Sequence, residues 1–166
     1  MERKNTAIVL AAGQGKRMNS RVQKQFLELG GKPVLYYSLN CFQQSPLITD
    51  IILVTGAESV AFCKEEIVEK YGLTKVTKVI PGGKERYDSV YEGLLACRDT
   101  EYVLIHDGAR PFITEEIIRR GIQGENRCLR DRYAFQRYGE NSRYTGICCR
   151  DTGTKLCLDD SDTPDL

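Results

Sequence analysis

Three short stretches concentrate the residue types that handle phosphate. The first is LAAGQGKRM, residues 10–18, where Gly13 and Gly15 stand beside Lys16 and Arg17, with Lys24 seven residues beyond Arg17. Glycines let backbone N–H groups approach phosphate oxygens, and Arg and Lys neutralise the charge that develops when a phosphoryl group is transferred. The stretch is not a P-loop, because no Ser or Thr follows Lys16 and the glycine spacing is too short. Nor is it a dinucleotide fingerprint, because Lys16-Arg17-Met18 stands where the third glycine belongs. Taken alone, a tight turn in a solvated basic loop explains it as well.

The second stretch is HDGAR, residues 106–110. An Asp leaving a strand, here Asp107, can hold Mg2+ while the metal grips triphosphate oxygens. Arg110 can hold a phosphate. His106 is the only histidine of the chain and reads as a packing or hydrogen-bonding residue rather than a catalytic base. The third stretch is PGGKERYDSV, residues 81–90, with Gly82, Gly83, Arg86, Asp88 and Ser89 at a helix start. Nucleobase recognition and ordinary helix capping explain it equally.

Other candidate chemistry is weaker. The seven cysteines form no C-x-x-C pair, so a zinc site is not expected, and Cys41, Cys63 and Cys97 read as buried small hydrophobes. The acidic DDSDTPD, residues 159–165, lacks the central Gly and distal Glu of a calcium loop. A formal charge of +1, from 24 Lys+Arg against 23 Asp+Glu, argues against a general nucleic-acid surface. No apolar stretch approaches the roughly 18 residues of a membrane helix, so the expectation is a soluble, cytoplasmic protein with no membrane partner.

The elements that must position these groups alternate. Short apolar, β-branched runs at 6–12, 50–56, 76–80 and 102–108 read as strands. Helical spacing appears at 33–43, 58–72, 86–97 and 114–123, with Gly72 as a C-cap and Thr114 as an N-cap. This pattern predicts an α/β fold, a mostly parallel sheet with helices on both faces. Ligands of such sheets sit at the carboxyl ends of the strands, which is where all three stretches fall. From Glu125 onwards the sequence has neither period and no sustained apolar face.

In order and spacing, AIVLAAGQGKRM, KQFLELGGKPVLYYSL, PGGKERYDSV and HDGARPFIT closely resemble the 2-C-methyl-D-erythritol 4-phosphate cytidylyltransferase family. The resemblance covers about residues 6–123, roughly the first half of a family chain. It implies a Rossmann-like nucleotidyltransferase fold, incomplete at the C-terminal side, and a homodimer clasped by a β-arm that is missing here. The implied reaction joins CTP and methylerythritol phosphate, with Mg2+, to give the CDP-alcohol and pyrophosphate. It also implies roles. Arg17 and Lys24 are the transition-state cations and Asp107 binds the metal. The backbone of Ala11, Ala12 and Gly13 recognises cytidine together with Gly82, Gly83 and Ser89. Gly15 and Lys16 belong to the CTP loop, Arg86 and Asp88 support it, and Arg110 faces the second substrate. One departure is Gln23, where the family usually has proline before Lys-Gln-Phe. Another is Tyr87, where it usually has Gln or a similar residue.

Two alternatives accompany this reading: a cytidylyltransferase for another sugar-alcohol phosphate, such as ribitol phosphate, and a nucleotide-binding remnant without catalysis. The expected organisation is 1–124 as the N-terminal part of a nucleotidyltransferase domain and 125–166 as a non-homologous tail. Regrouping the tail's codons by one base supports a shifted frame. Leu158–Leu166 then permits Trp-Met-Ile-Gln-Thr-Pro-Gln-Thr, the family motif, and Gly146–Lys155 and Tyr133–Asn141 permit two earlier ones. On this reading the tail supplies no dimer arm and no second metal-binding Asp, leaves a sheet edge open and packs against nothing. The expectation is a weakly stable protein with little or no turnover.

Overall fold

A computed structural model describes residues 4–13, 23–97, 100, 102–123 and the backbone of 146–148. Its centre is β1 (Asn5–Ala11), every residue of which is buried. Alternation sends Ala7, Val9 and Ala11 into one apolar cluster and Ile8 and Leu10 into another, on opposite faces of the sheet. Only a strand covered on both sides reads as such an unbroken apolar run. β4 (Asp50–Thr55) and β6 (Tyr102–Asp107) flank β1, and both run parallel to it. β5 (Val76–Pro81) continues the sheet beyond β4.

Helix α1 (Val34–Gln44) lays Leu35, Leu39 and Phe42 against the Ala7–Val9 face. The segment from Ala57 to Glu69 and α4 (Glu115–Ile122) complete that layer through Cys63, Ile67 and Ile118. The opposite face is covered by α3 (Arg86–Ala96), which brings Val90 and Leu94 against Ile8, Ile52 and Val54. The predicted four strands and four helices are all present, in the predicted order. The helix expected over 58–72 is less regular than its periodicity implies. It opens as a 3-10 turn (Ala57–Ser59), passes through α2 (Val60–Phe62) and ends in a wider π turn (Cys63–Glu69). Gly72 closes it at φ 61°, as the C-cap reading expects. Thr114 Oγ1 accepts from the Ile117 N–H at 3.3 Å, which makes it the N-cap of α4.

Two features lie outside the predicted elements. A hairpin, β2 (Glu28–Leu29) and β3 (Lys32–Pro33), turns on Gly30 and Gly31 at φ 59° and 79°. Two successive positive φ values define the tight hairpin turn that glycine permits without strain. α1 holds this hairpin: the Tyr37 hydroxyl donates to the Leu29 carbonyl, and Lys32 Nζ sits 4.2 Å from the Tyr36 ring centre. The second feature is β7 (Gly146–Cys148), whose backbone pairs parallel with β6, Val103 opposite Gly146. The expected open edge beside β6 is therefore occupied over these residues. An unpaired strand edge offers a row of N–H and C=O groups to any extended segment, whatever its side chains.

Candidate nucleotide site at the β1–β6 crevice

The strand order β5-β4-β1-β6-β7 fixes where a ligand can lie. From β1 the chain moves outward to β4 and β5, then crosses back to β6 on the other side of β1. The crossovers thus part company between β1 and β6, and that switch point opens a crevice at the strands' carboxyl ends. Ala11 ends β1 there, and Asp107, level with Leu10 in the pairing register, ends β6.

The loop after β5 reaches the same place. The Gly82 N–H donates to the Thr55 carbonyl at 2.7 Å, which draws it over β4 towards β1. A Cβ on Gly82 would fall 2.5 Å from Ser89 Oγ and 2.9 Å from the Ala12 Cβ. One on Gly83 would fall 2.1 Å from the Asp88 Cβ. Only glycine allows these approaches, so Ala12, Gly82 and Ser89 meet. Asp88 also shows its capping role. Its carboxylate accepts from the Glu85 N–H at 3.0 Å in a reciprocal capping box, while Ser89 Oγ donates to the Glu85 carbonyl.

Arg86 and Arg110 converge on Asp107. Arg86 donates from Nη2 at 3.1 Å and from Nε at 3.3 Å to Asp107 Oδ1, and Arg110 Nε lies 3.2 Å from Oδ2. The carboxylate sits between two guanidinium groups, and all three side chains remain partly open to solvent. Arg110 is fixed from behind. Its N–H donates to the Asp107 carbonyl at 3.0 Å, closing a turn through Gly108. Its own carbonyl accepts from Ser38 Oγ at 2.9 Å and from His106 Nε2 at 3.0 Å. A carbonyl only accepts, so Nε2 carries the proton. His106 packs edge-on to Phe42, and burial lowers its pKa below the ordinary histidine value. A buried histidine engaged this way holds the turn rather than acting as a base.

Lys24 opens a 3-10 turn (Lys24–Phe26) tied to the end of β1 through Gln25, and it is exposed, with no ion-pair partner among the described residues. Gly15, Lys16 and Arg17 lie outside the described residues. Gln25, which the motif reading passed over, is buried beside Ala11 and Gly13. Its sequence signal is its place in the Lys-Gln-Phe stretch that carries part of the resemblance. Cys63 and Cys97 are buried as expected, whereas Cys41 is only half-buried, and burial pushes the Cys97 thiol up to about 11.

With this geometry in place, kinship decides the family. The model of 2-C-methyl-D-erythritol 4-phosphate cytidylyltransferases matches residues 5–130. The chain belongs to that family. The enzyme of that name from Clostridium botulinum (strain Loch Maree / Type A3) is 54% identical over 124 residues, covering 74% of this chain and 54% of the relative. The solved 4-diphosphocytidyl-2C-methyl-D-erythritol synthase of Anaerococcus prevotii superposes with a TM-score of 0.61 at 34% identity, covering 74% of this chain and 51% of that one. Rv0371c of Mycobacterium tuberculosis, solved in complex with manganese, shares the fold at a TM-score of 0.55 and 21% identity, covering 74% of this chain and 59% of that one. The chain thus spans about half the length of the curated relatives it matches. These family names carry methylerythritol phosphate, not the ribitol phosphate of the alternative reading. Among the described residues, no helix is long and apolar enough to cross a membrane.

Proposed function

We propose that the β1–β6 crevice binds CTP and serves the family reaction, transfer of a cytidylyl group to methylerythritol phosphate. The observation that carries this reading is convergence: Ala11–Gly13, Gly82, Ser89, Arg86, Asp107 and Arg110, drawn from three separate loops, meet at one switch point. In that reaction an acceptor phosphate oxygen attacks the α-phosphorus as the bond to the β-phosphate oxygen breaks, and pyrophosphate leaves. No proton must move through the protein, so positioning and charge neutralisation carry the catalysis. Arg17 and Lys24 supply the neutralising cations, Ala11, Ala12 and Gly13 with Gly82, Gly83 and Ser89 cradle the cytidine, and Arg110 faces the acceptor.

A divalent cation fits this crevice only together with the nucleotide. Among the described residues no three acidic, His or Cys groups gather as a metal cage. Asp107 is a single carboxylate: Oδ1 already accepts twice from Arg86, and Oδ2, 3.2 Å from Arg110 Nε, keeps a lone pair. One carboxylate plus phosphate oxygens and water is the set that Mg2+ favours. When bound, the cation would neutralise triphosphate charge. Rv0371c, a protein of the same fold solved with manganese, is consistent with a divalent ion here.

For residues 125–166 our reading is a shifted reading frame, which leaves the family's later contacts unmade. CTP binding then persists while turnover is small. Titration calorimetry with CTP, GTP and UTP in Mg2+, beside pyrophosphate release with methylerythritol phosphate, tests both halves. No preference for CTP defeats the binding proposal, and family-level turnover defeats the tail reading. The gene's nucleotide sequence tests the frame directly: an intact frame with no family codons beneath the tail sinks it.

A further inference from the structure

The end of β1 and the 3-10 turn are joined by a side chain to which the motif reading gives no role. Gln25 is 3% exposed, and its Nε2 lies 2.6 Å from the Ala11 carbonyl oxygen, 3.2 Å from that of Gly13 and 2.6 Å from Gln23 Oε1. All three neighbours accept, so the amide nitrogen and not its oxygen must sit here. Gln23 agrees, since its own amide nitrogen turns the other way, towards Glu58 Oε1. An apolar residue could fill the space, but it would leave the buried Ala11 carbonyl without this donor, which costs about 1–3 kcal/mol.

The position of these carbonyls gives the contact more than a structural use. Every described peptide bond is trans, so each C=O points opposite to the N–H that shares its plane. Drawing the Ala11 carbonyl towards Gln25 therefore turns the Ala12 N–H away from it. The same side chain fixes its neighbour in sequence, Lys24, within a turn closed by the Phe26 N–H on the Gln23 carbonyl at 2.9 Å. We propose that Gln25 is a positioning residue: its amide braces both the mouth of the phosphate loop and the turn bearing Lys24, presenting loop N–H groups and the lysine to one ligand. The ligand side of this statement rests on the CTP reading above. The brace itself does not.

Gln25→Glu tests it, because the replacement has the same size but cannot donate when ionised. Among acceptor oxygens and buried, its carboxyl titrates well above the ordinary range. When protonated it regains one O–H to donate. The full chain carrying this change is folded at pH 5.5 and then shifted to pH 8. Hydrogen-exchange protection of the Phe26 and Leu27 amides, which close the turn on the Gln23 and Lys24 carbonyls, normalised for intrinsic rates, should fall at least tenfold at pH 8 and recover at pH 5.5. Wild-type protection should not follow pH this way, and Gln25→Leu should lose protection at both values. CTP affinity in Mg2+, measured alongside, should follow the same pattern. Unchanged protection in Gln25→Glu at pH 8, or loss that acid does not reverse, overturns the brace. Protection that follows the pattern in a protein that ignores CTP keeps the brace and removes the nucleotide reading instead.

Discussion

Replacing Asp107 with asparagine separates what its carboxylate does for the fold from what it does for the ligand. The structural part is bounded by geometry. Two arginine pairs, at 3.1 and 3.2 Å, join side chains that are a quarter to two fifths exposed. Exposed pairs of this kind contribute roughly 0.2–1 kcal/mol each, and asparagine still offers one oxygen to Arg86. The expected stability loss is therefore about 0.5–2 kcal/mol, or a few degrees in Tm at about 2–4 °C per kcal/mol for a chain of this size. The functional part should be larger. If Asp107 is the one protein ligand of a nucleotide-bound cation, removing its charge should weaken CTP binding in Mg2+ at least tenfold, about 1.4 kcal/mol. It should also abolish the response to chelation: EDTA should weaken CTP binding to the wild type and leave Asp107→Asn where it was. Calorimetry with and without EDTA, beside a thermal melt, reads both. A variant that loses a few degrees yet keeps a wild-type Mg2+ dependence would show that Asp107 only ties Arg86 to Arg110, and would refute the metal assignment.

Three further outcomes follow from the same contacts. His106 has a depressed pKa in the fold, so as pH falls below about 6.5 the unfolded chain takes a proton that the native state refuses, and stability drops. Thermal melts from pH 7.5 to 5 should show this acid-side loss in the wild type and less of it in His106→Gln, which keeps a donor for the Arg110 carbonyl; parallel profiles would contradict the sign argument. Gly82→Ala places a methyl 2.5 Å from Ser89 Oγ and 2.9 Å from the Ala12 Cβ, an overpacking that costs about 1–3 kcal/mol. Its melt should drop accordingly and be partly restored by adding Ser89→Ala, and no restoration would mean the contact is not the cause. Thr114→Ala removes the N-cap of α4 and should cost about 1 kcal/mol by denaturant titration, whereas Thr114→Ser should cost little.

Most of the fold was legible because its central strands, β1 and β4, are buried on both faces. TAIVLA carries no polar position beyond Thr6, and the structure shows why: both clusters draw on β1. Periodicity failed where local geometry departs from a regular helix, as over Cys63–Glu69, since i→i+5 bonding leaves much the same apolar spacing. The hairpin at Gly30-Gly31 escaped because its strands are two residues each, too short for any alternation to register. At the site, the glycines and charged groups announced themselves by type. Of the groups that hold them, His106 is legible as a hydrogen-bonding residue, whereas Ser38 and Gln25 act through contacts to backbone carbonyls that leave no spacing rule in a sequence.

Gln23 shows how a departure from a motif can be absorbed. It stands where the family usually has proline, and a lost proline normally frees a loop. Yet Gln23 sits at φ −65°, the angle a proline ring imposes, so the backbone path is kept. The entropy cost of holding a non-proline residue there is about 0.4–1 kcal/mol. Its side chain makes a contact that proline cannot, with Oε1 accepting from Gln25 Nε2 at 2.6 Å, and a neutral hydrogen bond contributes about 0.5–1.5 kcal/mol. The two terms are of the same size and opposite sign. The turn that carries Lys24 therefore keeps its place without proline, because the added hydrogen bond is made to the same glutamine that grips the carbonyls of Ala11 and Gly13.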